Sequence, residues 1–276
     1  MTVNITLVSN ACMELYPDNV TAKFRTEFPR LLDFSDSKYE VALTSFQCKK
    51  SWNTVNDRHT CGFTFRVTRA SRSDLMTSMS DVEFVQLFSI QLPEGCYTDF
   101  NQIVETLNRL VDEIGCSSFV SFSFEPISHK TTIHFKEGIE SMTAEVVLDE
   151  GLCRKLGWNR KGHVGEIAIL GENGYSETSP NTSTLDEIDH MFIHCDLARN
   201  QHFVGDKETA LLQIFSNKGK FGEMLSYEPR NLVWLPIRKE QFRDCLCIIT
   251  DATGLLVPFE SGTSVVRVLI RRTSPF

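Results

Sequence analysis

Long apolar runs are missing from this sequence. The longest, at residues 232–237, 245–249 and 255–259, are short and flanked by polar residues, far below the roughly 20 residues of a membrane-spanning helix. No transmembrane helix and no membrane partner are therefore expected. Positive charge is also scarce: 28 Lys and Arg stand against 36 Asp and Glu, a net charge of -8. Such a chain lacks the broad positive field that drives binding to a phosphate backbone, so nucleic acid is not the default partner. The start, Met1-Thr2-Val3-Asn4-Ile5-Thr6-Leu7, alternates apolar and polar residues without a basic opening or a continuous apolar stretch. That is unlike a secretory leader and predicts a reducing compartment. Cysteine is not scarce, but its nine copies (Cys12, Cys48, Cys61, Cys96, Cys116, Cys153, Cys195, Cys245, Cys247) are odd in number, scattered and mostly set in apolar segments. This suits free buried thiols better than a disulfide framework.

Catalytic signatures are absent as well. The sequence has no Gly-x-Ser-x-Gly elbow, no His-Glu-x-x-His, and no cysteine in a motif that would depress its pKa. His190 and His194 flank Met191-Phe192-Ile193, and on a strand both would point to one side together with Asp196, an arrangement open to metal. Cys195 would then face the other way, and Cys245-x-Cys247 also lies in a strand pattern, so surface or packed histidines are the plainer reading. Asp186 and Glu187 sit in a polar loop and read as a solvated acidic patch. Lys218-Gly219-Lys220-Phe221-Gly222 fits no phosphate-loop spacing and reads as a β-connection. The expectation is a chain without catalytic residues, metal or cofactor.

What the sequence does contain is period-two alternation. At 276 residues roughly 75% of the unfolded chain's surface can be buried, enough for one large β domain or two smaller ones. Val3, Ile5 and Leu7 share a face, as do Tyr39, Val41 and Leu43, and Phe63, Phe65 and Val67. Further strands are predicted at 83–92, 119–124, 131–135, 144–148, 164–170, 191–196, 210–215, 232–237, 242–250 and 263–271. More than ten short strands imply a sandwich or barrel. Of the aromatics, 20 are Phe and 5 are Tyr, and their placement at alternate strand positions favours core packing over a base-stacking platform. One amphipathic helix stands out, with Thr98 as N-cap, Phe100, Ile103, Val104, Leu107, Leu110 and Val111 at helical spacing, and Gly115 past its end. A shorter helix is predicted from about 150 to 156, stopping at Gly157. The helix, hairpin, helix order makes residues 93–160 an expected α+β insertion into a β domain formed by 1–92 and 161–276. Residues 69–81 and 171–189 read as exposed polar loops. Arg267 and Arg271 share a strand face near the C-terminus. They are candidate contacts for an acidic neighbouring subunit or, in an enclosed assembly, for nucleic acid.

The order of short motifs is more specific than any one of them. Tyr16-Pro17-Asp18-Asn19, Phe24-Arg25-Thr26, Tyr39 to Thr44 and Ser51-Trp52-Asn53-Thr54-Val55 are followed by Leu92-Pro93-Glu94-Gly95-Cys96-Tyr97, then Leu156-Gly157-Trp158. Ile193-His194-Cys195-Asp196, Val204-Gly205-Asp206 and Leu211-Leu212 come next, and the chain closes with Asp251-Ala252-Thr253-Gly254, Val257-Pro258-Phe259, Gly262 and the strand from Val265 to Arg271. This ordered set, spread over about 90% of the chain, resembles the minor capsid, or penton, proteins of Polinton/Maverick elements and related adintoviruses. The resemblance implies a jelly-roll β-sandwich that forms homopentamers at the fivefold vertices of an icosahedral capsid, beside a double-jelly-roll major capsid protein. It implies location in the virion, with assembly in the host cytoplasm or nucleus. A closed ring of five also requires two different complementary patches on each subunit, and so some exposed apolar residues in the monomer. The two polar loops and the wealth of cysteine have no counterpart in the pattern. Two other readings compete: a non-viral jelly-roll interaction module binding a protein or glycan, and a metal-dependent hydrolase using His190, His194 and Asp196.

Overall fold

The computed structural model describes residues 2–56, 60–70, 82–136, 142–159, 165–171, 174–185 and 188–273. In chain order the elements are β1 (Thr2–Val8), β2 (Lys23–Asp33), β3 (Tyr39–Lys49), β4 (Gly62–Ala70), β5 (Val82–Gln91), α1 (Phe100–Glu113), β6 (Val120–Glu125), β7 (Lys130–Phe135), β8 (Met142–Leu148), α2 (Glu150–Leu156), β9 (Ile167–Gly171) and β10 (Ser176–Thr178). They continue as β11 (His190–Cys195), β12 (His202–Val204), β13 (Lys207–Thr209), β14 (Leu211–Ser216), β15 (Met224–Tyr227), β16 (Leu235–Pro236), β17 (Gln241–Thr250) and β18 (Val265–Arg272). The chain forms two compact units: Met1–Trp52 with Ile188–Phe276, and Asn53–Glu187. No helix among the described residues is long and apolar enough to cross a membrane.

The first unit is a sandwich of two antiparallel sheets. One runs β1-β18-β3-β15, with β16 also paired to β3, and the other runs β14-β11-β17-β2. Counting the eight strands of these two four-strand paths along the chain, the orders are 1-8-3-6 and 5-4-7-2. This is a jelly roll, with its first and last strands side by side. Period-two alternation sends one face of each strand inward. Ile5, Leu7, Val41, Leu43, Phe46, Val266, Val268 and Ile270 meet Phe24, Met191, Ile193, Cys195, Leu212, Phe215, Cys245, Cys247 and Ile249 in one buried cluster. Each large side chain among them contributes about 1.5–3 kcal/mol by leaving water.

Strand β2 is absent from the alternation read in the sequence, because Pro29 interrupts it. The structure accommodates the proline on an edge: Phe242 pairs with Leu32 and Asp244 with Glu27, so residues 28–31 bulge opposite Arg243, and no ladder donor is needed from Pro29. The strand expected at 232–237 shrinks to the two-residue β16. Short β12, β13 and β15 have too few residues to show a period.

The second unit packs sheet β5-β4-β8-β9 against sheet β10-β7-β6 and helix α1. Phe63, Phe65, Val146, Leu148, Ile167 and Ile169 of the first sheet join Val120, Phe122, Ile133 and Phe135 of the second and Ile103, Leu107 and Val111 of the helix. The division of the chain therefore differs from the expected insertion at 93–160. β8, inside that segment, pairs along its whole length with β4 outside it, and β9 extends the same sheet. Strand pairing across both expected boundaries moves them out to 53 and 187.

Helix α1 begins one residue later than predicted. Asp99 is the N-cap, accepting from the Gln102 N–H at 3.1 Å, while the Gln102 side chain accepts from the Thr98 N–H at 2.9 Å. Helix α2 ends at Gly157 as predicted, with φ +82°. Of the expected polar loops, residues 71–81, 172–173 and 186–187, with Asp186 and Glu187, lie outside the described residues. Within the other loop Ser176–Thr178 forms β10 on the edge of β7.

Candidate functional site

The motif residues take structural positions at strand ends and turns. In the first unit Trp52, 2% exposed, meets Phe259 edge-on at 5.5 Å, with the Lys50 ammonium 5.3 Å from its ring centroid. Pro258 precedes this aromatic anchor. Asp251 organises the turn after β17: its Oδ1 accepts from the N–H of Thr253 at 2.8 Å, the Thr253 hydroxyl at 2.6 Å and the Leu255 N–H at 3.2 Å. Gly254 supplies the positive φ of +86° that this turn requires. Gly205 and Asp206 are the two-residue connection between β12 and β13, a hairpin for which Gly205 supplies φ +62°. Gly262 accepts at its carbonyl from the Thr21 hydroxyl at 2.9 Å, joining the 251–264 connection to the 9–22 connection.

In the second unit Gly95 exchanges both backbone hydrogen bonds with Val55, at 2.9 and 3.1 Å. The Tyr97 N–H donates to the Thr54 hydroxyl at 2.7 Å, its phenol donates to the Pro93 carbonyl at 2.9 Å, and burial raises the phenol's pKa. A Cβ on Gly157 would lie 2.3 Å from the Asn181 carbonyl oxygen. Trp158 follows, 2% exposed, its indole N–H buried without a hydrogen-bond partner among the described residues. The N-cap of α2, Asp149, half-buried, accepts from the Leu152 N–H at 2.9 Å and from the Gly62 N–H. Burial raises its pKa against the lowering effect of those bonds.

The two arginines share an exposed strand face but differ in circumstance. Arg271 pairs with Glu40 at 3.1 Å and stacks over Trp234 at 3.8 Å, so its charge is satisfied within the unit. Arg267, opposite Thr6 and Ser45, makes no side-chain hydrogen bond or ion pair among the described residues.

The histidine constellation does not assemble. His190 is exposed at the start of β11, and His194 hydrogen-bonds Thr250 Oγ1 at 3.2 Å, with burial lowering its pKa. Asp196 instead turns toward the cysteines. Its ligand oxygen, Cys195 Sγ and Cys245 Sγ all lie within 4.8 Å of one another, and the two sulfurs are 3.3 Å apart. Strand alternation put Cys195 and Asp196 on opposite faces, but β11 ends at Cys195, and Asp196 is already free of the period. The neighbouring Cys245 and Cys247 thiols are held well above their ordinary values, Cys247 chiefly by burial and Cys245 first by its bond to Cys195 and then by burial. The Cys48 thiol, likewise buried, is pushed up to about 12.

Exposed apolar side chains are spread over both units. In the first, Met13, Leu15 and Val20 of the 9–22 connection and Leu255 and Leu256 of the 251–264 connection are exposed. These connections are tied by the Ser9 N–H donating to the Ser264 carbonyl at 3.0 Å. In the second, Leu87 and Leu170, 58% and 68% exposed, lie on the outer face of the four-stranded sheet. Cross-strand pairing sets Leu87 beside Arg66 and Leu170 beside Glu145, and Arg66 and Glu145 form an ion pair at 2.9 Å.

No protein-family model and no curated protein matches the sequence. Among solved structures the chain is similar to the mavirus penton protein, at 14% identity and TM-score 0.48, covering 99% of this chain and 100% of that one. It is also similar to a chain of the Sputnik virophage, at 11% identity and TM-score 0.42, covering 98% of each.

Proposed function

We propose that the chain is a viral structural protein, the penton subunit of a Polinton/Maverick-type capsid. It closes into a homopentamer at the fivefold vertices, beside a double-jelly-roll major capsid protein. The reading is carried by the ordered motif set falling on the turns and core anchors of an eight-stranded jelly roll, a fold used by capsid subunits. Asp251, Gly254, Trp52, Phe259 and Gly205 serve the geometry of that sandwich rather than a reaction. A ring of five needs two different patches, and the exposed apolar groups on the two units supply candidates for them. Arg267 is a candidate rim contact for an acidic neighbour, whereas Arg271 is already spent on Glu40 and Trp234. The role places the protein in the virion.

Sedimentation of the reduced protein over a range of concentrations, alone and with a double-jelly-roll capsid protein, tests this reading. The expected species is five times 31.4 kDa. Leu87→Glu and Leu170→Glu are expected to return it to a folded monomer, since both side chains already face solvent. A monomer at every concentration, with and without the capsid protein, would overturn the vertex role and favour an interaction module.

A further inference from the structure

We propose that Cys195, Cys245 and Asp196 form a site for a thiophilic divalent cation, zinc foremost, which staples the end of β11 to β17. Zinc binds thiolate sulfur at about 2.3 Å and carboxylate oxygen at about 2.0–2.2 Å in a tetrahedron, which sets ligand atoms roughly 3.5–3.8 Å apart. The three ligand atoms here already lie within 4.8 Å of one another. The 3.3 Å between the sulfurs has to open by only about 0.4 Å to reach that spacing.

The backbone holds the three residues in place from both sides. Cys195 is paired in register with Cys247. The Asp196 N–H donates to the Leu246 carbonyl at 3.1 Å, and the Leu246 N–H donates to Asp196 Oδ1 at 2.9 Å. The carboxylate's other oxygen accepts from Lys239 Nζ at 2.6 Å. Each oxygen thus has one donor and keeps a further lone pair, the outer-shell arrangement that orients a ligating carboxylate.

Charge closes as well. Binding converts two thiols to thiolates and releases two protons to solvent. Two thiolates, one carboxylate, the dication and the Lys239 ammonium then sum to zero. Both sulfurs are buried while the Asp196 side chain is 19% exposed, so the carboxylate side offers the route for the ion and leaves a fourth position for water. The soft sulfurs select zinc over magnesium or calcium. This site shares only Asp196 with the His190, His194 and Asp196 set read from the sequence.

Elemental analysis of the full chain, produced with zinc and purified in reducing buffer without chelator, is expected to find about one zinc per chain. Chelation should lower the melting temperature and added zinc restore it in the unmutated protein, a readout that needs no variant. Cobalt in place of zinc should give a thiolate-to-cobalt charge-transfer band in the near ultraviolet. C195S/C245S should lose the metal and the band, and K239A should weaken affinity about 10–100-fold. Zinc below about 0.1 per chain after loading, with no thermal shift, would overturn the site. So would metal retained by C195S/C245S, or a Cys195–Cys245 disulfide, two mass units lighter and metal-free, in the protein as isolated.

Discussion

The two units bury similar β cores by opposite routes. The second unit is built largely from neighbours in sequence, β4 with β5, β6 with β7 and β8 with β9, with β4–β8 and β7–β10 as its longer-range pairings. Among the described residues its widest side-chain ion pair, Arg66 to Glu145, joins residues 79 apart. The first unit closes only when the chain's ends meet: β18 lies between β1 and β3, Arg271 reaches Glu40 over 231 residues, and Ser264 reaches Ser9 over 255. Loop-closure entropy makes such pairings slow to form, so the jelly roll is expected to gain protection after the unit it encloses in sequence.

The largest expected effects come from deleting one core ring in each unit. Phe46→Ala in the first and Phe65→Ala in the second, both fully buried, should each cost about 3–5 kcal/mol. Hydrogen exchange followed by mass spectrometry is expected to show the loss of protection confined to the mutated unit. Loss in both units from either variant would show one cooperative fold and break the comparison.

A smaller effect separates two glycines, one in each unit. Gly157 and Gly254 both have positive φ, +82° and +86°, but a Cβ collides only at Gly157, where Asn181 O lies 2.3 Å away and nothing lies within 4 Å at Gly254. Alanine at either should cost about 1–2 kcal/mol for its left-handed backbone, with the collision adding to this at Gly157. Urea denaturation curves measure the difference, and equal costs would show that the Asn181 segment yields.

The smallest effect is a pH dependence belonging to the first unit. Burial lowers the pKa of His194 in the folded state, so as pH falls through about 6.5 the unfolded chain takes up its proton first. Stability attributable to His194 is therefore lost from about 6.5 down to its lower folded pKa. His194→Gln should flatten that part of the profile in thermal melts at successive pH values, and an unchanged slope would place the dependence elsewhere.

Local pairing also explains what could be read without coordinates. In the second unit Phe63, Phe65 and Val67 show their period plainly, the α1 stripe is complete, and Gly157 marks the end of α2, because each signal lies within its own element. In the first, β2 hides behind Pro29, which only an edge strand with a bulge tolerates, and β15 gains its identity from pairing with β3. The candidate metal site was half legible. Cys195, Asp196 and Cys245 each stand out in their strand patterns, but β11 ends at Cys195, so its alternation does not place Asp196, and nothing in the sequence pairs Cys195 with a residue 50 positions away.

Composition and periodicity by themselves determined a β-rich chain with two helices, an apolar face on most of the long strands, thiols in apolar surroundings and glycines at the turns, because these depend on contacts within a few residues. Tertiary structure alone decided that the chain divides at 53 and 187 rather than at 93 and 160, that the first and last strands lie side by side, and that Asp196 faces two cysteines instead of two histidines. Those outcomes depend on which distant strands share hydrogen bonds, and the pattern of any one segment is compatible with many partners.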